Sequence, residues 1–280
     1  MKKSRKHSLL YKAVLLLILI SVLLGCKAEV PPQPSLTLTV FSCGKADAML
    51  LQFDGYNVMI DTGENGDGED LVKELVLRQV EKIDLLILTH HDKDHIGGAD
   101  TVLENLPVTS LRMPAYESDS KQYVQLTEAL KQADVEVFRM SEDATFSLGG
   151  ADFTIWTSTV DYNGKNDNEQ SLVTKVVYGG KSFLFMGDAE EAWLKELCLS
   201  GRNLTCNVLK LPHHGVYDKN LITLLPLTLP EYVLITDSVK NPAEEKTMDL
   251  LKTFELATYS TANGSIRLTL TNGQLRIAQF

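Results

Sequence analysis

Short apolar runs separated by turn residues organise the chain from Leu36 onward. "LTLTVFS" (36–42), "AMLLQF" (48–53) and "NVMIDTG" (57–63) alternate or run apolar, with β-branched residues and short Gly-containing turns. They predict strands of one antiparallel sheet. "EDLVKELVLRQV" (69–80) has helical spacing, and "KIDLLILT" (82–89) is a continuous apolar run of the length of a buried strand. "GGADTVLENL" (97–106) predicts a short helix and "SKQYVQLTEALKQADV" (120–135) a longer amphipathic one, with the strand "VTSLRMP" (108–114) between them. "VEVFRM", "ATFSLGG" and "ADFTIWTS" then continue as strands to residue 158.

The second half has the same style. "SLVTKVVYGGKSFLFMGD" (171–188) predicts a hairpin turning on Gly179 and Gly180, and "AEEAWLKELCL" (189–199) a helix. "CNVLKLP" (206–212) and "EYVLITD" (231–237) predict strands, "AEEKTMDLLKTF" (243–254) a helix, and "SIRLTLTNGQLRIAQF" (265–280) a closing hairpin on Asn272 and Gly273. Two similar halves of strands and helices imply an α/β fold of two sheets face to face with helices on the outer faces.

The N-terminus differs. "MKKSRKHSLLYKAVLLLILISVLLGC" opens on four cationic residues, and its uninterrupted apolar part, Ala13 to Leu24, is short for a spanning helix. It reads as a secretory signal over residues 1–25. Its "LLGC" end resembles the lipobox of bacterial lipoproteins, which implies acylation of Cys26 and cleavage before it. "KAEVPPQPS", with three prolines, extends the tether over 26–35 and leaves one domain over 36–280. A membrane partner through the lipid, an extracytoplasmic location and a monomeric state are expected.

Charge narrows the partners. The signal carries five of the 27 Lys and Arg and no acid, so 22 basic residues face 37 acidic ones, a mature charge near −15. A broad basic face for duplex DNA is not expected, although a local basic pocket remains open. Outside the cytoplasm Cys198 and Cys206 form either a disulfide across a short loop or, with Cys43, buried free thiols.

Histidine placement points to the chemistry. Of six histidines, His7 lies in the signal and the other five fall in "THHDKDH" and "LPHHG", each following a predicted strand. The spacing His90, Asp92, Asp94, His95 brings two imidazoles and two carboxylates into one small volume. Two close, buried carboxylates repel unless a proton or a cation intervenes. A divalent ion, or two, would resolve that conflict.

"THHDKDHIGG" resembles the His-x-(His/Asp)-x-Asp-His signature of the metallo-β-lactamase superfamily, in the form carried by the hydrolase domain of ComEC-type competence proteins. "ADAMLLQFDGYNVMIDTG", "NDNEQSLVTKVVYGGKSFLFMGDAEE" and "VLKLPHHG" are similar to three further motifs of that family, in the same order. The resemblance implies an αββα sandwich with a two-metal site at one edge. It implies His90 and Asp92 on the first metal, Asp94 and His95 on the second, and Asp188 bridging them. His214, or else His213, would complete the second metal's ligands, and Asp61 would orient the loop ligands from behind. His91 is expected to face solvent. Lys210, Asn168 and Ser171 are candidate substrate contacts.

Two departures matter. No histidine lies between His95 and His213, where lactamase-like relatives place a third ligand of the first metal, so water or an oxygen of Asp161, Asn166 or Asn168 would serve. With Asp92 as a carboxylate ligand, preference between Zn²⁺ and Mn²⁺ shifts toward the harder ion. The family's Gly-Gln-Gly-Asp loop is also replaced by "CGKAD", ending on Asp47, and its Tyr-Gly-His-Pro turn by "VKNPAEE". The implied activity is metal-dependent hydrolysis of a phosphodiester, either single-stranded nucleic acid or a cell-envelope compound, with Asp94 both a ligand and the acceptor of a hydrogen bond from the attacking water. The alternatives are hydrolysis of a lactone or β-lactam, and a non-catalytic binding lipoprotein stapled by its metal.

Overall fold

The computed structural model describes residues 35–161 and 166–280, so the signal, Cys26 and the tether up to Pro34 lie outside the described residues. In the first sheet, β1 (Ser35–Val40), β2 (Ala48–Phe53) and β3 (Tyr56–Thr62) pair antiparallel. After α1 (Gly68–Leu77), β4 (Ile83–Ile87) pairs parallel to β3. The short α2 (Lys93–Ile96) and α3 (Ala99–Asn105) lead to β5 (Val108–Pro114), and α4 (Lys121–Leu130) to β6 (Glu136–Met140), both strands again parallel.

The second sheet begins with β7 (Ala144–Leu148), β8 (Ala151–Trp156), β9 (Val173–Tyr178) and β10 (Lys181–Phe185), all antiparallel. Beyond α5 (Glu191–Leu199), the strands β11 (Val208–Lys210), β12 (Tyr232–Ile235) and β13 (Ala257–Ser260) run parallel to β10, with α6 (Leu221–Thr228) and α7 (Glu245–Thr253) as crossovers. The hairpin of β14 (Ile266–Thr271) and β15 (Gln274–Gln279) returns to the first sheet, where β14 pairs with β1. The orders are β15-β14-β1-β2-β3-β4-β5-β6 and β13-β12-β11-β10-β9-β8-β7.

Alternation along the strands builds three apolar layers. Leu38, Val40, Leu51, Ile60 and Ile87 of the first sheet meet Phe153, Ile155, Phe183 and Phe185 of the second. The opposite faces carry Leu50, Met59, Leu86 and Leu88 against α1, α3 and α4, and Leu184, Leu209 and Val233 against α5, α6 and α7. Both faces of each sheet are covered, which is why β4 is apolar at consecutive positions. The result is an αββα sandwich. Cys43, Cys198 and Cys206 are free thiols.

Two elements were not expected from the sequence. α6 holds Pro226 within "LITLLPLT", apolar on all sides, and β13 is a four-residue strand at the edge of its sheet. The loops that follow β4, β10 and β11 carry the histidines and aspartates of the candidate ligand set, while Asp161, Asn166 and Asn168 lie in the connection from β8 to β9.

Candidate metal centre

Asp61, near the end of β3, holds a left-handed backbone (φ 55) and turns its carboxylate under the loop after β4. Its Oδ1 accepts the Thr89 N–H at 2.8 Å, and its Oδ2 accepts the Thr89 hydroxyl at 2.7 Å. The same Oδ2 lies 2.8 Å from His95 Nδ1. One buried carboxylate thus fixes both the exit of β4 and the rotation of a histidine six residues on. The two glycines after His95 are steric necessities: a Cβ on Gly97 would stand 2.3 Å from Asn65 N, and one on Gly98 2.4 Å from Thr62 O.

Opposite, just beyond β10, Gly187 at a φ of 53 aims Asp188 inward, and the Asp188 N–H donates to Ser171 Oγ at 3.1 Å. After β11 the turn Pro212–Gly215 places His213 and His214 both at positive φ. His214 Nδ1 lies 2.9 Å from the Thr236 carbonyl and 3.0 Å from its hydroxyl.

These anchors leave the other imidazole nitrogens pointing at one another. His95 Nδ1 faces a carboxylate and His214 Nδ1 a carbonyl, so both Nδ1 atoms act as donors and both Nε2 atoms turn inward, free to ligate once deprotonated. The two Nε2 atoms are 3.3 Å apart. Asp188 bridges them, with Oδ1 3.2 Å from His95 Nε2 and Oδ2 3.2 Å from His214 Nε2. Asp94 Oδ2 is 3.6 Å from His214 Nε2. His90 is fully buried beside them; its Nδ1 is 3.1 Å from Thr89 Oγ1, and its Nε2 makes no hydrogen bond among the described residues. Two donor sets follow, His90 with His95 and Asp188, and Asp94 with His95 and His214, each with its ligand atoms within 4.8 Å. Converging lone pairs, a bridging carboxylate and an orphaned buried nitrogen suit divalent cations of borderline hardness.

The field of the site favours positive charge. Burial opposes protonation of His214, but Asp188 and Asp47 outweigh it and push its pKa up to about 10. His95 is likewise held well above the usual imidazole range, against its burial, by Asp188, Asp61 and Asp47. Asp188 is kept well below the usual carboxylate range, burial being overcome by His214 and His95. Bound metal would displace the imidazole protons.

Several expected residues sit differently from their sequence reading. Asp92 is half exposed, 3.7 Å from His90 Nε2, and burial with the charges of Asp167 and Asp94 pushes its pKa up to about 6. His91 does not face solvent: it is buried against the rings of Tyr116 and Tyr123, at 4.2 and 4.5 Å between centroids. His213 turns outward to Glu190, its Nδ1 3.0 Å from Oε1, while its Nε2 is 3.8 Å from Asp188. Lys210 is no substrate contact, because it has no exposed surface and its ammonium is committed to Asp47 and to the Gly187 carbonyl. Ser171 is also buried, holding Asp188 rather than a substrate.

Asn168 and Asn166 donate their side-chain amides to Glu190 at 2.7 and 2.8 Å. Asn166 Oδ1 accepts the Asn168 N–H, Asn168 Oδ1 has no hydrogen bond among the described residues, and Asp161 is exposed. Sequence reasoning missed the parts played by Asp47, Thr89 and Thr236. Asp47 is wholly buried, 3.4 Å from His214 Nδ1 and 3.8 Å from His95 Nδ1. Its position as the last residue of "CGKAD" was the available signal.

Comparison with known proteins agrees with this geometry. A family model described as the metallo-beta-lactamase superfamily matches residues 42–236. The chain is 26% identical over 263 residues to Recombination protein 2 of Haemophilus influenzae, covering 88% of this chain and 30% of that protein. It is also 26% identical over 234 residues to Competence protein ComA of Neisseria gonorrhoeae, covering 82% of this chain and 31% of the relative. The chain therefore spans about a third of the length of these curated relatives. Among solved structures, the metallo-beta-lactamase fold protein YhfI of Bacillus subtilis superposes with a TM-score of 0.55 at 10% identity, over 88% of this chain and 100% of that one.

Proposed function

The chain belongs to the metallo-β-lactamase superfamily, and on that footing we propose that it is a lipid-anchored, metal-dependent phosphodiesterase of the extracytoplasmic membrane face. The observation that carries the reading is the convergence of His95 and His214 on Asp188, with His90 and Asp94 beside them. Divalent ions bound there would supply Lewis acidity at the scissile group.

The chain's own groups would do the rest. Asp94 remains partly open to solvent at the rim. Burial raises its pKa, but His214, 3.6 Å away, and the charge of His95 bring it down to about 2, so the carboxylate stays ionised. It would accept a hydrogen bond from the attacking water and hold it in line with the phosphorus. Asp61 and Thr236 would keep the two imidazoles from rotating as charge builds. No serine or cysteine nucleophile is required.

The phosphodiester substrate is favoured over a lactam by Asp92, a carboxylate where lactamase-like relatives carry histidine. The names of the two curated relatives concern recombination and competence, which makes single-stranded nucleic acid the first substrate to try, with a cell-envelope phosphodiester the second. The anchor reading rests on "LLGC" and the tether that follows. Among the described residues no helix is long and apolar enough to cross a membrane.

Assay of the purified chain with Mn²⁺ or Zn²⁺ on bis-p-nitrophenyl phosphate, single-stranded DNA and nitrocefin separates the readings. Turnover of the phosphodiesters alone supports the proposal. Turnover of nitrocefin alone moves the chain to the amide hydrolases, and bound metal with no turnover on any of them leaves a stapled binding protein.

A further inference from the structure

Lysine is almost never fully buried unless its charge is matched. Lys210 has no exposed surface at all, and its surroundings are those of the metal donors. The ammonium forms an ion pair with Asp47, donates to the Gly187 carbonyl at 3.1 Å and lies 3.7 Å from Asp188 Oδ1. Gly187 is the residue whose positive φ aims Asp188. Asp47 reaches the remaining donors: its Oδ1 is 3.4 Å from His214 Nδ1, its Oδ2 is 3.8 Å from His95 Nδ1, and its N–H donates to the Asp94 carbonyl at 3.0 Å. Through its ion pair with Asp47 and its bond to Gly187, Lys210 thus touches the supports of Asp94, His95, Asp188 and His214.

A second observation bears on the same group. Asp47, Asp61 and His95 bring three ligand atoms within 4.8 Å, a geometry that by itself resembles another cation site. Lys210, paired with Asp47, supplies positive charge to that cluster from the protein itself.

We infer that Lys210 is a positioning residue of the metal centre, a tethered cation that holds Asp47 and the Gly187–Asp188 turn so that the four donors in front of it keep their aim. This inference rests on the metal-binding part of the proposed function and not on the substrate. It makes a prediction of definite sign. A positive charge 3.7 Å from Asp188 repels an incoming cation, so if charge alone mattered, removing it would tighten metal binding. If positioning dominates, removing it weakens binding, as loss of groups behind metal ligands does by about 10–100-fold.

The test uses the full chain in three forms: wild type, Lys210→Met, and the double variant Asp47→Asn/Lys210→Met, which leaves no unpaired buried charge. Chelator competition gives the Co²⁺ dissociation constant, the visible Co²⁺ spectrum reports ligand geometry, and thermal melting reports the fold. Lys210→Met is expected to bind Co²⁺ about tenfold more weakly or worse. The double variant is expected to regain most of the lost melting temperature while keeping weakened binding and an altered spectrum. Wild-type or tighter affinity in the double variant, with an unchanged spectrum, overturns the positioning role and makes Lys210 only a partner for Asp47. A wild type that takes up no Co²⁺ overturns the metal centre itself, a failure distinct from that of Lys210.

Discussion

The Nε2 atoms of His95 and His214 face each other at 3.3 Å although the residues stand 119 positions apart and hang from different sheets. Each is locked from behind, one by Asp61 and the other by Thr236, so neither ring can swing away without losing a buried hydrogen bond. Asp188 is the only carboxylate among the described residues within 3.2 Å of both nitrogens.

Asp188→Ala is expected to remove most bound metal and reduce hydrolysis to background, while circular dichroism and cooperative melting persist, because the side chain sits at the sandwich edge and outside all three apolar layers. Full metal content and full rate in this variant would leave Asp188 a mere turn residue.

Asp61→Asn keeps a side chain that tolerates the left-handed backbone at this position but cannot accept from both Thr89 and His95 as a carboxylate does. Metal affinity should fall by about 10–100-fold with the fold retained. An unchanged dissociation constant would show that His95 needs no support from this side.

Gly187→Ala forces a left-handed alanine whose Cβ would stand 3.0 Å from both Ser171 Cβ and Thr89 Cβ. A loss of about 1–3 kcal/mol in unfolding free energy is expected, with weaker metal binding from the displaced Asp188. Denaturant unfolding of the metal-free chain checks it, and wild-type stability would contradict it.

Metal choice should follow Asp92. Hydrolysis by the stripped protein is expected to return better with Mn²⁺ than with Zn²⁺, and Asp92→His to move the ratio toward Zn²⁺. If Zn²⁺ activates the wild type better and the variant leaves the ratio alone, the half-exposed Asp92 is not a ligand.

Much of the fold was legible in the sequence because its helices carry a period of 3.6 residues and its strands either alternate or, like β4, run apolar over a strand's length. α6 was not, since "LITLLPLT" is apolar all round and contains Pro226, so no stripe marks a face. The ligand loops were legible because histidine is rare elsewhere in the chain. What surrounds them was harder to read, because burial of a polar side chain depends on partners distant in sequence. His91 disappears under Tyr116 and Tyr123, Lys210 turns inward to meet Asp47, and Ser171 is taken up by Asp188. Nothing in "LKLP" or "CGKAD" alone tells that the end of β11 and the loop after β1 meet.

Anchoring has its own test. Labelled palmitate should enter the wild-type chain and not Cys26→Ser, given "LLGC" and the proline-containing tether after it. Equal labelling of both, or a mature N-terminus elsewhere, removes the anchor.

The most direct measurement is to strip the chain with chelator, dialyse it against Mn²⁺ or Zn²⁺, and count bound ions alongside bis-p-nitrophenyl phosphate hydrolysis, with His214→Ala in parallel. About two ions per chain and restored hydrolysis are expected in the wild type, with both reduced in the variant. Hydrolysis that survives chelation, or a wild type that retains no ion, would contradict it.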